Sequence, residues 1–163
     1  MHSFLRRTAV KQEVIFLKQQ RLHVLVMDGQ GGQLGSQLIK ALQAYQDKLN
    51  IIAVGTNATA TAAMLKAGAK DAATGENPVI VACRKADVII GPIGIVIADA
   101  MLGEVTPAMA AAVGQADATR ILIPVNKCEN LIAGVSNLPM SALIQDAVAK
   151  LEKILEDRWE CLA

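Results

Sequence analysis

Short apolar runs alternate along the chain with segments in which apolar residues recur every three or four positions. The first run, from Leu22 to Asp28, leads directly into glycine, and the apolar residues that follow, from Leu34 to Tyr45, have helical spacing. A short run rich in leucine and β-branched residues is typical of a buried parallel strand. Strand and helix repeated in this way predict an α/β, Rossmann-like fold: a single doubly wound, mostly parallel sheet with helices on both faces.

The same patterns predict the remaining elements. Further strands are expected at residues 50–54, 69–73, 87–90 and 120–125, with an edge strand at 131–135. Helices are expected at 58–66, 77–85, about 94–102 and 107–114, and an apolar stripe predicts a last helix from Met140 to Leu155. Polar residues suited to cap these helices precede them: Thr56, Asn57, Asn77, and Thr106 ahead of Pro107.

Composition limits the domain organisation and the partners. A chain of 163 residues, 53% apolar but only 2% aromatic, is long enough for one α/β domain, expected at residues 21–163. Residues 1–20 lack core-like periodicity and are expected to form an extension, either disordered or a misassigned start. The 16 basic and 15 acidic residues give no electrostatic case for nucleic acid or an anionic membrane. Three scattered cysteines, with no signal peptide, predict a cytoplasmic protein without a metal site.

The glycine-rich segment after the first strand has the pattern of a phosphate-binding turn between a strand and a helix. Gly29-Gln30-Gly31-Gly32-Gln33-Leu34-Gly35 fails the strict G-x-G-x-x-G spacing but fits a spacing of Gly29, Gly32 and Gly35, or of Gly29, Gly31 and Gly35. Such glycines let backbone N–H groups approach an anion at the start of the helix. The alternative is that they serve only a sharp turn and close packing of helix on strand.

Ligands of a parallel sheet bind beyond the carboxyl ends of its strands, so the residues just after each strand are candidates. The expected cofactor-binding residues are the seven from Gly29 to Gly35 together with Thr56, Asn57, Gly91, Pro92 and Gly94. The end of the second strand lacks the acidic residue that holds the ribose of NAD, and also the arginine typical of NADP sites. The neutral groups there could hold the ribose of either cofactor, a mononucleotide, or no adenosine at all. General acid or base work would rest with Asp28, Glu76 or Glu129, and a nucleophile would be Cys128.

Several segments resemble a small family of uncharacterised bacterial proteins, known mainly from Firmicutes and treated as a domain of unknown function. The resemblance runs from Leu22 to about Leu151, and it implies a Rossmann-like fold and focuses interest on Asp28 and Asn57. Residues 1–20 lie outside it. The segments that carry it are Met27-Asp28-Gly29-Gln30-Gly31-Gly32, Gly55-Thr56-Asn57-Ala58, Ala62-Ala63-Met64-Leu65-Lys66-Ala67-Gly68-Ala69, Thr74-Gly75-Glu76-Asn77 and Gly91-Pro92-Ile93-Gly94-Ile95.

Three hypotheses follow. The first is a nucleotide-binding protein, most simply a dinucleotide binder, in which Thr56 and Asn57 meet the ribose. The second is a non-catalytic sensor or scaffold that acts through a protein contact, with the apolar last helix serving a homodimer. The third is a small enzyme acting on a phosphorylated or carboxylated metabolite through Asp28, Glu76 and Cys128.

Overall fold

A computed structural model describes residues 21–125 and 130–160 of the chain. It contains a five-stranded, wholly parallel sheet with strands in the order β3-β2-β1-β4-β5. The strands are β1 (Leu22–Asp28), β2 (Leu49–Gly55), β3 (Asp71–Thr74), β4 (Val88–Pro92) and β5 (Thr119–Ile123). The helices are α1 (Gln33–Leu42), α2 (Ala58–Lys66), α3 (Glu76–Cys83), α4 (Pro107–Gln115) and α5 (Met140–Glu160), with short 3₁₀ turns at Gln43–Tyr45 and Ile93–Val96. The predicted doubly wound α/β architecture is confirmed.

Alternate residues of the central strand β1 build two separate cores. Val24 and Val26 face one side of the sheet and pack with residues of α1 and α5, whereas Leu25 and Met27 face the other side and pack with α3 and α4. Helix α2 packs beside α1. Because both faces of β1 are covered, its residues from Val24 to Met27 are all apolar rather than alternating with polar ones, as expected of a central parallel strand.

Two predicted elements are wrong. The helix expected to reach Leu102 stops as a 3₁₀ turn at Val96, because Asp99, Met101 and Leu102 have positive φ angles that no right-handed helix accepts. Residues 131–135 form no strand; Leu131 is fully exposed there, so this segment buries no apolar face. The predictions for residues 1–20, for Cys128 and for Glu129 fall outside the described residues.

Helix boundaries follow local chemistry with one exception. Asn57 caps α2 by accepting a hydrogen bond from the Ala60 N–H, and Thr106 caps α4 by accepting one from the Met109 N–H, as predicted. Asn77 is not a cap, since α3 already begins at Glu76, after a glycine with a φ of 99°. None of the helices in the described ranges has the length and apolarity to cross a bilayer.

Candidate functional site

Asp28 lies at the carboxyl end of β1, where its buried carboxylate organises the glycine-rich turn (residues 29–35). One oxygen accepts a hydrogen bond from the Gly29 N–H at 2.8 Å, and the other accepts one from the Gly35 N–H at 2.6 Å. The Leu34 N–H also bonds to this carboxylate. Leu34 and Gly35 are the second and third residues of α1, so Asp28 satisfies amides that a side-chain cap ordinarily serves.

The pKa of Asp28 is higher than that of a free aspartate. Burial raises its pKa above the ordinary value, and the negative charge of Glu104 raises it further. The amides of Gly35, Gly29 and Leu34 lower the pKa but do not cancel these effects. A carboxyl group at this position therefore holds its proton to a higher pH than a free aspartate.

Two glycines of the turn are required by the fold itself, through close packing and, at Gly32, through a positive φ angle. Gly32 has a φ of 68°, and a Cβ atom there would lie 2.6 Å from the Ala60 Cα of α2. A Cβ on Gly35 would lie 2.7 Å from the Met64 sulfur and 2.8 Å from the Asp28 Cβ. At these two positions glycine serves a sharp turn and close packing of helix on strand, which is the alternative to a phosphate-binding role.

Gly31 differs from its neighbours. It is exposed, its φ is not positive, and a Cβ atom there would meet nothing within 4 Å. Its N–H group and that of Gln33 make no hydrogen bond within the described part of the chain, while those of Gly29, Gln30, Gly32 and Gly35 are all paired with protein atoms. Two amides of the turn are therefore open to a ligand.

A strap (residues 97–105) runs from the end of β4 across the turn to the end of β2. There one oxygen of Glu104, Oε2, accepts three hydrogen bonds: from the Gln30 N–H at 2.8 Å, the Thr56 hydroxyl at 2.6 Å and the Asn57 side-chain amide at 2.7 Å. A Cβ on Gly29 would lie 3.0 Å from the same oxygen and 2.6 Å from the Met101 sulfur. Glycine at position 29 thus allows the strap to cross.

The strap has an uncommon backbone. Asp99, Met101 and Leu102 have φ angles of 62°, 59° and 59°, and Gly103 follows at 86°. A left-handed residue other than glycine costs about 1–3 kcal/mol and persists only where the surroundings hold it in place. Met101 and Val105 are buried in the core beside α4, and these contacts fix the strap at both sides of Leu102.

Glu104 is an ionised group at neutral pH. Partial burial raises its pKa, but the hydrogen bonds from Thr56, Gln30 and Asn57 outweigh that effect, so the pKa lies below its ordinary value. The other carboxylate oxygen, Oε1, has no hydrogen-bond partner among the described residues.

A crevice of about 290 Å³ opens on the other side of the turn, between the carboxyl ends of β1 and β4. The chain order of the strands reverses between β1 and β4, and such switch points are where open parallel sheets bind ligands. No basic residue occurs among the described residues that line it: Asp28, Gly29, Gln30, Gly31, Gly32, Gln33, Leu34, Pro92, Met101, Val125 and Met140.

The remaining predicted residues are dispersed around this edge. Glu76 is exposed at the start of α3 and accepts a hydrogen bond from the Thr106 hydroxyl. No interaction between described residues joins it to Asp28. Gly91 packs against β1, since a Cβ there would lie 2.3 Å from the Met27 carbonyl oxygen, and Gly94 is buried in the 3₁₀ turn after β4.

The sequence pattern does not predict Glu104 or the crevice residues Met101, Val125 and Met140 as part of the site. The pattern predicts helices that end at Leu102 and begin at Pro107, so Glu104 falls in a predicted connection between them. One signal was available. In a parallel sheet the segments that follow all strands share one edge, so an acidic residue in any of them is a candidate for that edge.

Comparison with known proteins gives a family without an assigned function. The model of the family described as Domain of unknown function (DUF3842) matches residues 23–156, which include every strand except the first residue of β1 and most of α5. Neither the curated proteins nor the solved structures compared with the chain include a match. The family match spans the glycine-rich turn, the strap and the crevice, and the chain therefore belongs to this family.

Proposed function

We propose that the protein binds a dinucleotide, NAD or NADP, across the glycine-rich turn. The observation that carries the proposal is the pair of open amides, those of Gly31 and Gln33, at a crevice on the switch point of the sheet. Gln33 begins α1, so its N–H group also carries the positive end of the helix dipole. Nothing in the packing requires glycine at position 31, whereas close approach of a ligand to the backbone would.

The geometry favours a ligand with two halves. The crevice lies on the β4 side of the turn, and the polar groups Thr56, Asn57 and Glu104 lie on its β2 side. A volume of about 290 Å³ is near the lower limit of the ~300–1,000 Å³ typical of ligand pockets, so it suits one half of a dinucleotide better than the whole. The other half would cross the exposed residues Gln30 and Gly31 toward the end of β2.

Charge favours a pyrophosphate diester over a terminal phosphate. Asp28 and Glu104 lie beside the turn, and no basic side chain lines the described part of the crevice. A diester carries one negative charge on each phosphate group, whereas a terminal phosphate carries nearly two, and repulsion by nearby carboxylates grows with that charge. We therefore expect NAD or NADP to bind more tightly than ATP.

The two alternative hypotheses have less support. The apolar stripe of α5, on which the homodimer hypothesis rested, is buried inside the domain at Ile144, Ala147, Leu151 and Leu155. The homodimer stays a prediction, but the apolar stripe of α5 no longer supports it. An enzyme that uses Asp28 and Glu76 together would need both to reach one substrate. Glu76 is not among the described residues that line the crevice and is bonded to Thr106, and the amides of the turn already engage both oxygens of Asp28.

Calorimetric titration of the protein with NAD, NADP, FAD and ATP tests the proposal. We expect a dinucleotide to bind more tightly than about 1 mM, which corresponds to roughly 4 kcal/mol. Binding of none of these nucleotides in that range would refute it. Mass spectrometry of the protein purified under non-denaturing conditions provides an independent check, because a tightly held nucleotide would remain bound.

A matched pair of variants locates the site. Gly31→Ala places a methyl group where a ligand would contact the backbone, and we expect at least about a tenfold loss of affinity, equivalent to ~1.4 kcal/mol. Gly114→Ala is the control: it is the same change, also into open space, but in α4 away from the crevice. Both variants are expected to fold. Equal affinity for the two variants would place the ligand elsewhere.

A further inference from the structure

A carboxylate lies at the end of β2, but it comes from a distant part of the chain and not from β2 or the residues directly after it. A dinucleotide site ordinarily has an acidic residue at this place, and it accepts hydrogen bonds from the ribose hydroxyls. Here β2 ends in Gly55 and is followed by Thr56 and Asn57, neither of which is acidic. Glu104 reaches that end of the sheet from the strap, 48 residues further along the chain, and bonds to both Thr56 and Asn57.

We propose that Glu104 is the ribose-binding carboxylate of this site and that it selects NAD over NADP. The inference rests on the proposed dinucleotide function and specifies its cofactor. Three donors converge on Oε2 and fix the orientation of the carboxylate, while Oε1 has no partner among the described residues. Oε1 is thus an oriented acceptor, available to the adenosine ribose, which has two adjacent hydroxyl groups in NAD.

The placement of Glu104 agrees with the path of a dinucleotide. Its Oε2 accepts the N–H of Gln30, the residue directly before Gly31, so the carboxylate lies at the turn that the pyrophosphate would cross. In NADP a phosphate replaces one ribose hydroxyl. That group would bring up to two negative charges next to an ionised carboxylate and would also remove a donor from it.

The strap provides the rigidity that such a residue needs. Its left-handed residues Asp99, Met101 and Leu102 are held by the burial of Met101 and Val105, so Glu104 starts from a fixed backbone. An acidic side chain that binds ribose is effective when it is oriented before the ligand arrives, because little side-chain freedom is then lost on binding.

Calorimetry with NAD and NADP on the wild type and on Glu104→Gln tests the inference. The wild type is expected to bind NAD at least about tenfold more tightly than NADP, since a hydrogen bond to a charged acceptor is worth roughly that factor or more. Glu104→Gln removes the charge and turns an amide N–H toward the ribose. We expect this variant to bind NAD more weakly and NADP more tightly, so that the ratio of the two affinities falls by about 10- to 100-fold.

Asp99→Asn is the matched control. It removes the same charge from the same strap, its side chain is exposed and makes no hydrogen bond among the described residues, and asparagine tolerates the positive φ angle at that position. We expect it to keep the wild-type ratio of affinities. A ratio that changes equally in both variants would assign the effect to net charge near the site and overturn the specific role of Glu104.

The other outcomes separate the inference from the function on which it rests. If the wild type binds NAD but Glu104→Gln leaves the ratio unchanged, the inference is wrong and the dinucleotide function stands. If Glu104→Gln raises the affinity for both cofactors, Glu104 is an internal competitor for the ligand rather than a contact, and the inference is again overturned. If the wild type binds neither cofactor, the proposed function fails and the role of Glu104 fails with it.

Discussion

Replacing Asp28 by asparagine should destabilise the fold by an amount that depends on pH. The side chain is 5% exposed, and its two oxygens accept the N–H groups of Gly29 and Gly35. An asparagine has one oxygen, so one of these amides would face an NH₂ group and lose its acceptor. A buried donor left unpaired costs about 1–3 kcal/mol, and a loss of that size lowers Tm by about 2–12 °C in a domain of this length.

The pH dependence follows from the raised pKa of Asp28. Because burial disfavours the charged form, the folded protein binds this proton more tightly than the unfolded chain does. The stability that Asp28 contributes is therefore fully present below its ordinary pKa of 3.8 and is lost as the pH rises through the raised value. Asparagine does not titrate. The cost of Asp28→Asn should be greatest near pH 3.5 and should shrink toward pH 7.

Urea unfolding followed by circular dichroism, at several pH values from 3.5 to 7, measures this difference. Asp47→Asn is the control, since Asp47 is exposed and its side chain makes no hydrogen bond or ion pair with the described residues. We expect its unfolding free energy to match that of the wild type at each pH. A cost of Asp28→Asn that grows with pH would refute the reasoning, because it would mean that the three amides, and not burial, dominate the pKa of Asp28.

Three further predictions concern the neighbouring groups. Gly35→Ala should lower the unfolding free energy by about 1–3 kcal/mol, since its Cβ would lie 2.7 Å from the Met64 sulfur; urea unfolding measures this, and an unchanged value would contradict such close packing. Glu104→Gln should be less stable than the wild type above about pH 4.5 but not in acid. The lowered pKa of Glu104 means that this carboxylate stabilises the fold above its ordinary pKa, and that this stabilisation is lost as the pH falls; the same unfolding series checks it. Asn57→Asp keeps the α2 cap but places a second charge against Glu104, so its Tm should fall at pH 7 and recover when Glu104→Gln is added; a loss that the second substitution does not relieve would show that repulsion is not the cause.

The fold could be predicted because its signals are local. Six of the seven residues in β1 are buried, and five of these six are apolar. The spacing of Leu34, Leu38 and Leu42 predicts α1 without knowledge of the rest of the chain. The caps at Asn57 and Thr106 are equally local, since each accepts an N–H group three residues ahead. Parallel strands joined by helices then leave few arrangements of the sheet.

The strap could not be predicted because its conformation depends on contacts with distant parts of the chain and not on local signals. Ala98, Ala100, Met101 and Leu102 are good helix formers by propensity, and the tertiary contacts of Met101 and Val105 hold the left-handed backbone in place instead. Contacts of this kind override intrinsic preference without leaving a periodic pattern. The bonds of Glu104 depend on the strap, so they were hidden by the same cause.

Glu104 lies far along the sequence from its hydrogen-bond partners, and this separation affects the order in which the protein folds. Its bonds join residues 74 positions apart in the sequence for Gln30 and 48 apart for Thr56. Closure of long loops follows the formation of local structure, because ordering the intervening chain costs entropy that only later contacts offset. During synthesis or refolding, β1, α1 and β2 can associate well before residue 104 joins them. The hydrogen bonds of Glu104 at this edge therefore form late, after the sheet itself.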